Sequence, residues 1–298
     1  KNQESLEKLI NDHDAVISFV PPWMHTPIAH ACLKKGRNMI TSSYISPDME
    51  KIHNDVKAKG LIFLNECGLD PGIDIMGTMK IVHEARNAGY KVVSYESYCG
   101  GLPVADQADN PLGYKFSWNP GAAIKASRNT AIFKKNGKKV VTDAPLKCVE
   151  DREDFSVSMK LEAYPNRDSL VFMDRFSMHD CETFVRGTLR FSGFSATISA
   201  FHDIGLTSDD PAGDDVKTLR CLLESRLQGV SKHNMSLGPN SLQIVESVTN
   251  AMPAADQELI KRALSRVDFS FLPDAKQLNN SIKNIVKTMV FLGFFDPN

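Results

Sequence analysis

The chain has 298 residues, with 35 Lys plus Arg against 36 Asp plus Glu and a formal net charge of −1 at pH 7. Its length suits one large domain or about two to three smaller ones, and the even charge, with no basic run resembling a nucleic-acid patch, gives no support to a polyanion-binding protein. Apolar residues make up 42% of the chain, ordinary for a protein with a real core, yet no unbroken apolar stretch nears the roughly 18–20 residues that a membrane helix needs.

In chain order, DAVISFV (14–20) is a short apolar run stopped by Pro21 and Pro22, and it reads as a strand. Residues 26–36 read as a helix, with Pro27 among its first residues and Gly36 as its stop. A second strand (38–44) leads to a helix over 46–60, opened by Ser46 and Pro47 and closed by Gly60. A third strand (61–66) leads to a helix over 72–89, with Asp74 in its first turn. This alternation predicts parallel strands joined by right-handed crossovers, an α/β fold. From residue 90 the pattern changes. Strand-like pieces at 90–98, 157–163 and 184–193 and a helix-like piece at 120–133 predict the mixed sheet of a second domain. Beyond Gly205, the segments 214–229, 240–252, 256–267 and 280–295 carry apolar residues at helical spacing.

In an open parallel sheet, ligands bind beyond the carboxyl ends of the strands. Three such ends are visible: Val20–Pro21–Pro22, Ser42–Ser43–Tyr44 and Gly68–Leu69–Asp70–Pro71–Gly72. Any one of them merely ends a strand; together they supply hydroxyls, a phenol, a carboxylate and backbone amides beside a helix start, and predict a site. The stretch NECGLDPGID (65–74) is stiffer and more acidic than a connector requires. A long polar loop follows at 98–118, of the kind that is functional or disordered, and its aromatic and glycine content argues against disorder. Within it, Cys99 by itself is more often a buried thiol, and Trp118 more often core. Arg186 interrupts an apolar run; its commoner fate is a surface ion pair, but its planar fork also suits a carboxylate. The cysteines Cys32, Cys67, Cys99, Cys148, Cys181 and Cys221 form no C-x-x-C pair, which speaks against zinc and for a reducing compartment. No H-x-x-x-H, G-x-S-x-G or G-x-x-x-x-G-K occurs, so hydrolase, zincin and nucleoside-triphosphatase readings lose their supports, and no metal is expected.

The segments TSSYISP, NECGLDPGID, YCGGLPVADQADNPLGYKFSW, YPNRDS and RGTLRFSGF, in this order, resemble saccharopine dehydrogenases of the glutamate-forming type. The same domain forms the C-terminal part of bifunctional aminoadipic semialdehyde synthases. The likeness covers about residues 14–205, and the helical tail is less specifically similar to the family's inserted third domain. It implies the C-terminal part of a Rossmann-like dinucleotide-binding domain (1–89), an α+β substrate and dimerisation domain (90–205) and a helical subdomain (206–298). It also implies an oxidoreductase of lysine metabolism. Saccharopine, oxidised nicotinamide cofactor and water would give glutamate, 2-aminoadipate 6-semialdehyde and reduced cofactor, with NAD and NADP left open.

Carried over by motif, the cofactor-binding residues are Val20, Ser42, Gly68, Leu69 and Pro71. Substrate contacts fall on Ser43, Tyr44, Asp70, Trp118 and Arg186, and on Thr207, Ser208 and Asp209. Tyr44, Asp70 and Cys99 surround the reacting centre, with Asp70 either a general base or a positioning group. The resemblance implies small-molecule partners with no nucleic acid or membrane, a homodimer, and fusion in some relatives to a lysine-ketoglutarate reductase domain. The location it implies is the cytoplasm or the mitochondrial matrix. No G-x-G-x-x-G precedes a helix, so the expectation is a piece of a longer protein, inactive alone because one cofactor half-site lies outside it. The alternatives are a carboxynorspermidine- or homospermidine-type dehydrogenase and a non-enzymatic saccharopine dehydrogenase-like module.

Overall fold

The computed structural model describes residues 3–117, 119–156, 158–228 and 237–296. The chain divides into two compact units, Lys1–Val92 and Val93–Asn298.

The first unit runs α1 (Gln3–Asn11), β1 (Ala15–Ser18), α2 (His25–Lys35), β2 (Asn38–Thr41), α3 (Pro47–Lys51), α4 (His53–Ala58), β3 (Phe63–Leu64) and α5 (Ile73–Asn87). Its strands form a parallel sheet in sequence order, with Ser18 opposite Thr41 and Ile40 opposite Leu64. Small residues of α2, Ala29 and Cys32, let that helix approach closely and pack with Ile10, Met39, Met49 and Val56. Gly36 closes α2 in the left-handed conformation, and the Ser46 hydroxyl accepts from Met49 N to cap α3. The single helix expected over 46–60 is two short ones. The backbone of buried Ile52 (φ −89°, ψ 1°) ends one and begins the next, with no glycine or proline to mark the break.

The second unit holds β4 (Ser94–Cys99), α6 (Pro120–Ala126), β5 (Ala131–Lys135), β6 (Lys138–Thr142), β7 (Glu150–Asp151), β8 (Leu161–Pro165), α7 (Leu170–Arg175) and β9 (Thr183–Phe191). Helices α8 (Phe194–Ile204), α9 (Leu219–Arg226), α10 (Pro239–Thr249), α11 (Ala254–Leu264) and α12 (Ala275–Phe291) complete it. The mixed sheet has the order β6-β5-β9-β8-β7, and β4 lies parallel to β9. Its existence agrees with the sequence pattern; its details do not all agree. Residues 120–133 are not one helix. Asn119 caps a short helix that ends at Ala126, and 131–135 is a strand paired with β6. The turn between those strands is Asn136–Gly137, both at positive φ (50° and 77°), as a two-residue hairpin requires.

Helix α8 was not anticipated because its residues, FSATISAF, are small or apolar on every side and lack a polar stripe. It is buried almost throughout. Its N-terminus is met by the buried carboxylate of Glu162, which accepts from Gly193 N (2.7 Å) and Ser195 N (2.6 Å). One face of α8 joins the helical core of Leu223, Val245, Ile260, Leu264, Ile285 and Met289.

Gly187 of β9 lies opposite Tyr98 and Pro165, and a Cβ there would sit 2.4 Å from Tyr164 O and 2.7 Å from the Tyr98 ring. Gly187→Ala should therefore lower stability by at least about 2 kcal/mol, against about 1 kcal/mol for Gly60→Ala, whose Cβ meets open space. Chemical denaturation of the two variants checks this, and equal losses would refute the close approach.

Candidate active site

Because β1, β2 and β3 are parallel, the segments that follow them leave from one edge of the first unit's sheet. This edge carries Val20, Ser42, Ser43, Tyr44 and the 68–72 turn. His25, the first residue of α2, ties it together. Its Nδ1 lies 2.8 Å from Ser18 Oγ, and its Nε2 lies 2.8 Å from Ser43 Oγ and 3.3 Å from Thr41 Oγ1. The side chain is only 4% exposed, and burial lowers its pKa, so a neutral ring with one donor and one acceptor links the ends of β1 and β2.

The segment after β3 is fixed to the segment after β2 by Cys67 N to Thr41 O (3.1 Å) and Glu66 N to Ser43 O (3.0 Å). The turn then closes on itself. Gly68 N donates to Pro71 O, Ile73 N to Gly68 O, Asp74 N to Leu69 O, and Gly72 N to Asp74 Oδ1. The expectation that these amides serve a ligand is therefore not met at Gly68, Gly72, Ile73 or Asp74, whose N–H groups are taken within the turn. What the turn does present is Asp70, whose Oδ1 accepts a 2.6 Å hydrogen bond from Tyr44 OH. These two residues, far apart in sequence, form one polar unit at the strand ends.

In the second unit, β4 and β9 place Ser97 opposite Arg186 and Cys99 opposite Thr188, so strand alternation puts Cys99 and Arg186 on one face of the sheet. Arg186 is 7% exposed, with its guanidinium carbon 3.9 Å from the Phe172 ring centre and its backbone N–H donated to Ser169 Oγ. A surface ion pair, its ordinary fate, is excluded. Trp118 lies outside the described residues. The 207–209 segment follows α8 and meets the carboxyl end of α6. Thr207 O accepts from Arg128 Nη1 (2.7 Å), and Asp209 pairs with Lys125 (3.1 Å). Ser208 donates to Asp210 and lines a cavity of about 710 Å³ with His202 and Ser127. The structure thus groups Val20, Ser42, Ser43, Tyr44 and Asp70 in one unit, and Cys99 with Arg186 in the other.

Residues 1–64 match the model of the saccharopine dehydrogenase NADP binding domain, and residues 68–265 that of the saccharopine dehydrogenase C-terminal domain. The chain belongs to the saccharopine dehydrogenase family. It is 34% identical over 284 residues to the saccharopine dehydrogenase [NADP(+), L-glutamate-forming] of Schizosaccharomyces pombe, covering 95% of this chain and 59% of that protein. The Saccharomyces cerevisiae protein of the same description is 38% identical over 210 residues, covering 70% of this chain and 47% of its own. An apo structure of saccharopine dehydrogenase (L-Glu forming) from Saccharomyces cerevisiae superposes with a TM-score of 0.75 at 30% identity, covering 99% of this chain and 60% of that one. The chain spans about half the length of these two fungal relatives.

At the strand ends, half-buried Val20 and 58%-exposed Leu69 present apolar surface, and Ser42 presents a hydroxyl. Gly68 keeps the turn against Ser42, since a Cβ there would lie 3.1 Å from Ser42 Cβ. In this unit, sequence reasoning missed His25, whose ring links the ends of β1 and β2. The available signal was a histidine opening a helix soon after the Pro21–Pro22 stop of the first strand.

Burial depresses the pKa of His25, and it pushes that of His202 down to about 4. Below the unfolded histidine value of about 6.5, the unfolded chain binds more protons than these two buried rings, so stability should fall as pH drops from about 7 to about 5. His25→Gln should remove His25's share of this acid limb and leave that of His202. Urea denaturation across this range reads it; an unchanged limb in the variant would refute a buried neutral His25.

Proposed function

We propose that this chain serves the reversible oxidation of saccharopine by NADP and water to glutamate and 2-aminoadipate 6-semialdehyde, with release of NADPH and a proton. The observation that carries the reading is the Tyr44–Asp70 hydrogen bond at the carboxyl edge of a parallel sheet whose sequence matches an NADP binding domain. NADP is preferred to NAD because the fungal relatives are named for it. The nicotinamide, when bound, accepts the hydride from the amine-bearing carbon. Val20, Ser42 and Leu69 would position that ring. Tyr44 and Asp70 hold the secondary amine, or the water that replaces it, with Asp70 as base or orienting group. Arg186, stiffened by Phe172, takes a substrate carboxylate, with Ser43, Cys99, Trp118 and the segment Thr207, Ser208 and Asp209 as further contacts. The proposal includes a homodimer, a location in the cytoplasm or mitochondrial matrix, and kinship with proteins named alpha-aminoadipic semialdehyde synthase, in which other domains share the chain. The six scattered cysteines, with no C-x-x-C pair, suit a reducing compartment. Among the described residues, no helix is long and apolar enough to cross a membrane.

Saccharopine-dependent reduction of NADP by the product of the complete reading frame tests the activity. Arg186→Lys should raise KM for saccharopine by about 10- to 100-fold, since a point charge reproduces neither the planar fork nor the ring contact. An unchanged KM would remove Arg186 from the site. Asp70→Asn should lower kcat by roughly 10²–10⁴-fold and flatten the acidic limb of the pH profile if Asp70 is the base. If it only orients, the limb survives with a smaller loss; wild-type kinetics would exclude both roles.

A further inference from the structure

The 207–209 segment is held from one side by the carboxyl end of α6, the helix that follows the 98–118 loop. Lys125 pairs with Asp209, Arg128 donates to Thr207 O, and His202 bridges the rest. The direction of the bridge can be worked out. The Ser127 hydroxyl donates its single proton to Ile124 O (2.7 Å), so its oxygen must accept from His202 Nε2, 3.0 Å away. Nε2 therefore carries the ring proton, and Nδ1 is an acceptor. The partner of Nδ1 is Thr207 Oγ1 at 2.5 Å, so the Thr207 hydroxyl spends its own proton on the histidine. The ring stays neutral because burial, aided by Arg128 and Lys147, keeps its pKa at about 4.

A hydroxyl whose proton is committed offers only lone pairs to anything else. It repels a carboxylate and welcomes an N–H donor. We infer that His202 is a positioning residue, which locks the 207–209 segment to α6 and holds Thr207 as an acceptor for an ammonium group of the substrate. This rests on Thr207 being a substrate contact under the function proposed above. Saccharopine carries one primary ammonium beside its secondary amine, and its carboxylates then fall to guanidinium partners such as Arg186. The neighbouring Asp209 carboxylate has the same preference for cations.

The test uses the product of the complete reading frame. In His202→Phe, KM for saccharopine should rise about tenfold, with kcat within about twofold and KM for NADP unchanged. The preference for saccharopine over its analogue lacking the primary amine should shrink. Arg128→Ala, which removes a second hold on Thr207, should raise KM for saccharopine in the same sense. Nitrogen-15 NMR of the wild type should show His202 as the neutral Nε2–H tautomer near pH 7. A folded His202→Phe variant with unchanged saccharopine KM and analogue preference would overturn the inference. So would a parallel loss of kcat, cofactor affinity and melting temperature, or an Nδ1–H or charged ring. If His202→Phe does not fold, Arg128→Ala and the tautomer decide. If the wild type does not oxidise saccharopine, the functional reading fails by itself. Hydrogen exchange at 207–209 then decides the lock: faster exchange in His202→Phe upholds it, and unchanged exchange ends it.

Discussion

A Cβ on Gly72 would lie 2.2 Å from Gly68 O and 2.8 Å from Glu66 O, and its φ of 149° is one that side chains rarely adopt. A backbone without a side chain lets the chain turn back on itself soon after β3 and enter α5 within a few residues. The other features of the strand-end site follow from it. Gly68 N and O are both satisfied inside the turn, Asp74 folds back to accept from Gly72 N, and Asp70 is left at the rim opposite Tyr44. A longer or looser connection would satisfy the same amides with water and leave Asp70 without a defined direction.

The second unit solves a different problem, which is how to bury cations. Arg186 lies over Phe172, Arg152 between Tyr98 and Phe155, and Arg190 against Tyr114 and Phe194. Ring faces are partners that do not consume the guanidinium donors. Arg152 adds ion pairs to its ring contacts, with carboxylates of Glu96 and Asp154 accepting from its guanidinium. Burial first, and then the charge of Glu96, push the Tyr98 phenol well above its ordinary range, so Tyr98 remains a neutral donor to Glu96. The buried carboxyl of Glu162 is served by two backbone amides at the start of α8.

Much of the fold was legible because its signals are local. Prolines, glycines and cap residues marked α2 and α3, and strand–helix alternation announced the parallel sheet of the α/β class. The failures share a cause. Residues 131–135 and the helix α8 have apolar patterns that two structures would satisfy equally, and the choice is made by neighbours far away in sequence. For the first it is the partner strand beyond Asn136–Gly137; for the second it is burial on all sides, with Glu162 waiting at the N-terminus.

The sequence by itself determined the class of fold, the family resemblance and the edge on which Ser43, Tyr44 and Asp70 would stand, because side-chain chemistry and the spacing of strands and helices are written residue by residue. Only the tertiary structure decided what those groups do to one another. It joined Tyr44 to Asp70, sent the turn's amides inward, placed Arg186 on Phe172, and set His25 and His202 as bridges between hydroxyls. The physical reason is that a hydrogen bond or ring contact depends on sub-ångström placement of groups from separate elements, and on which protons their other partners have already claimed.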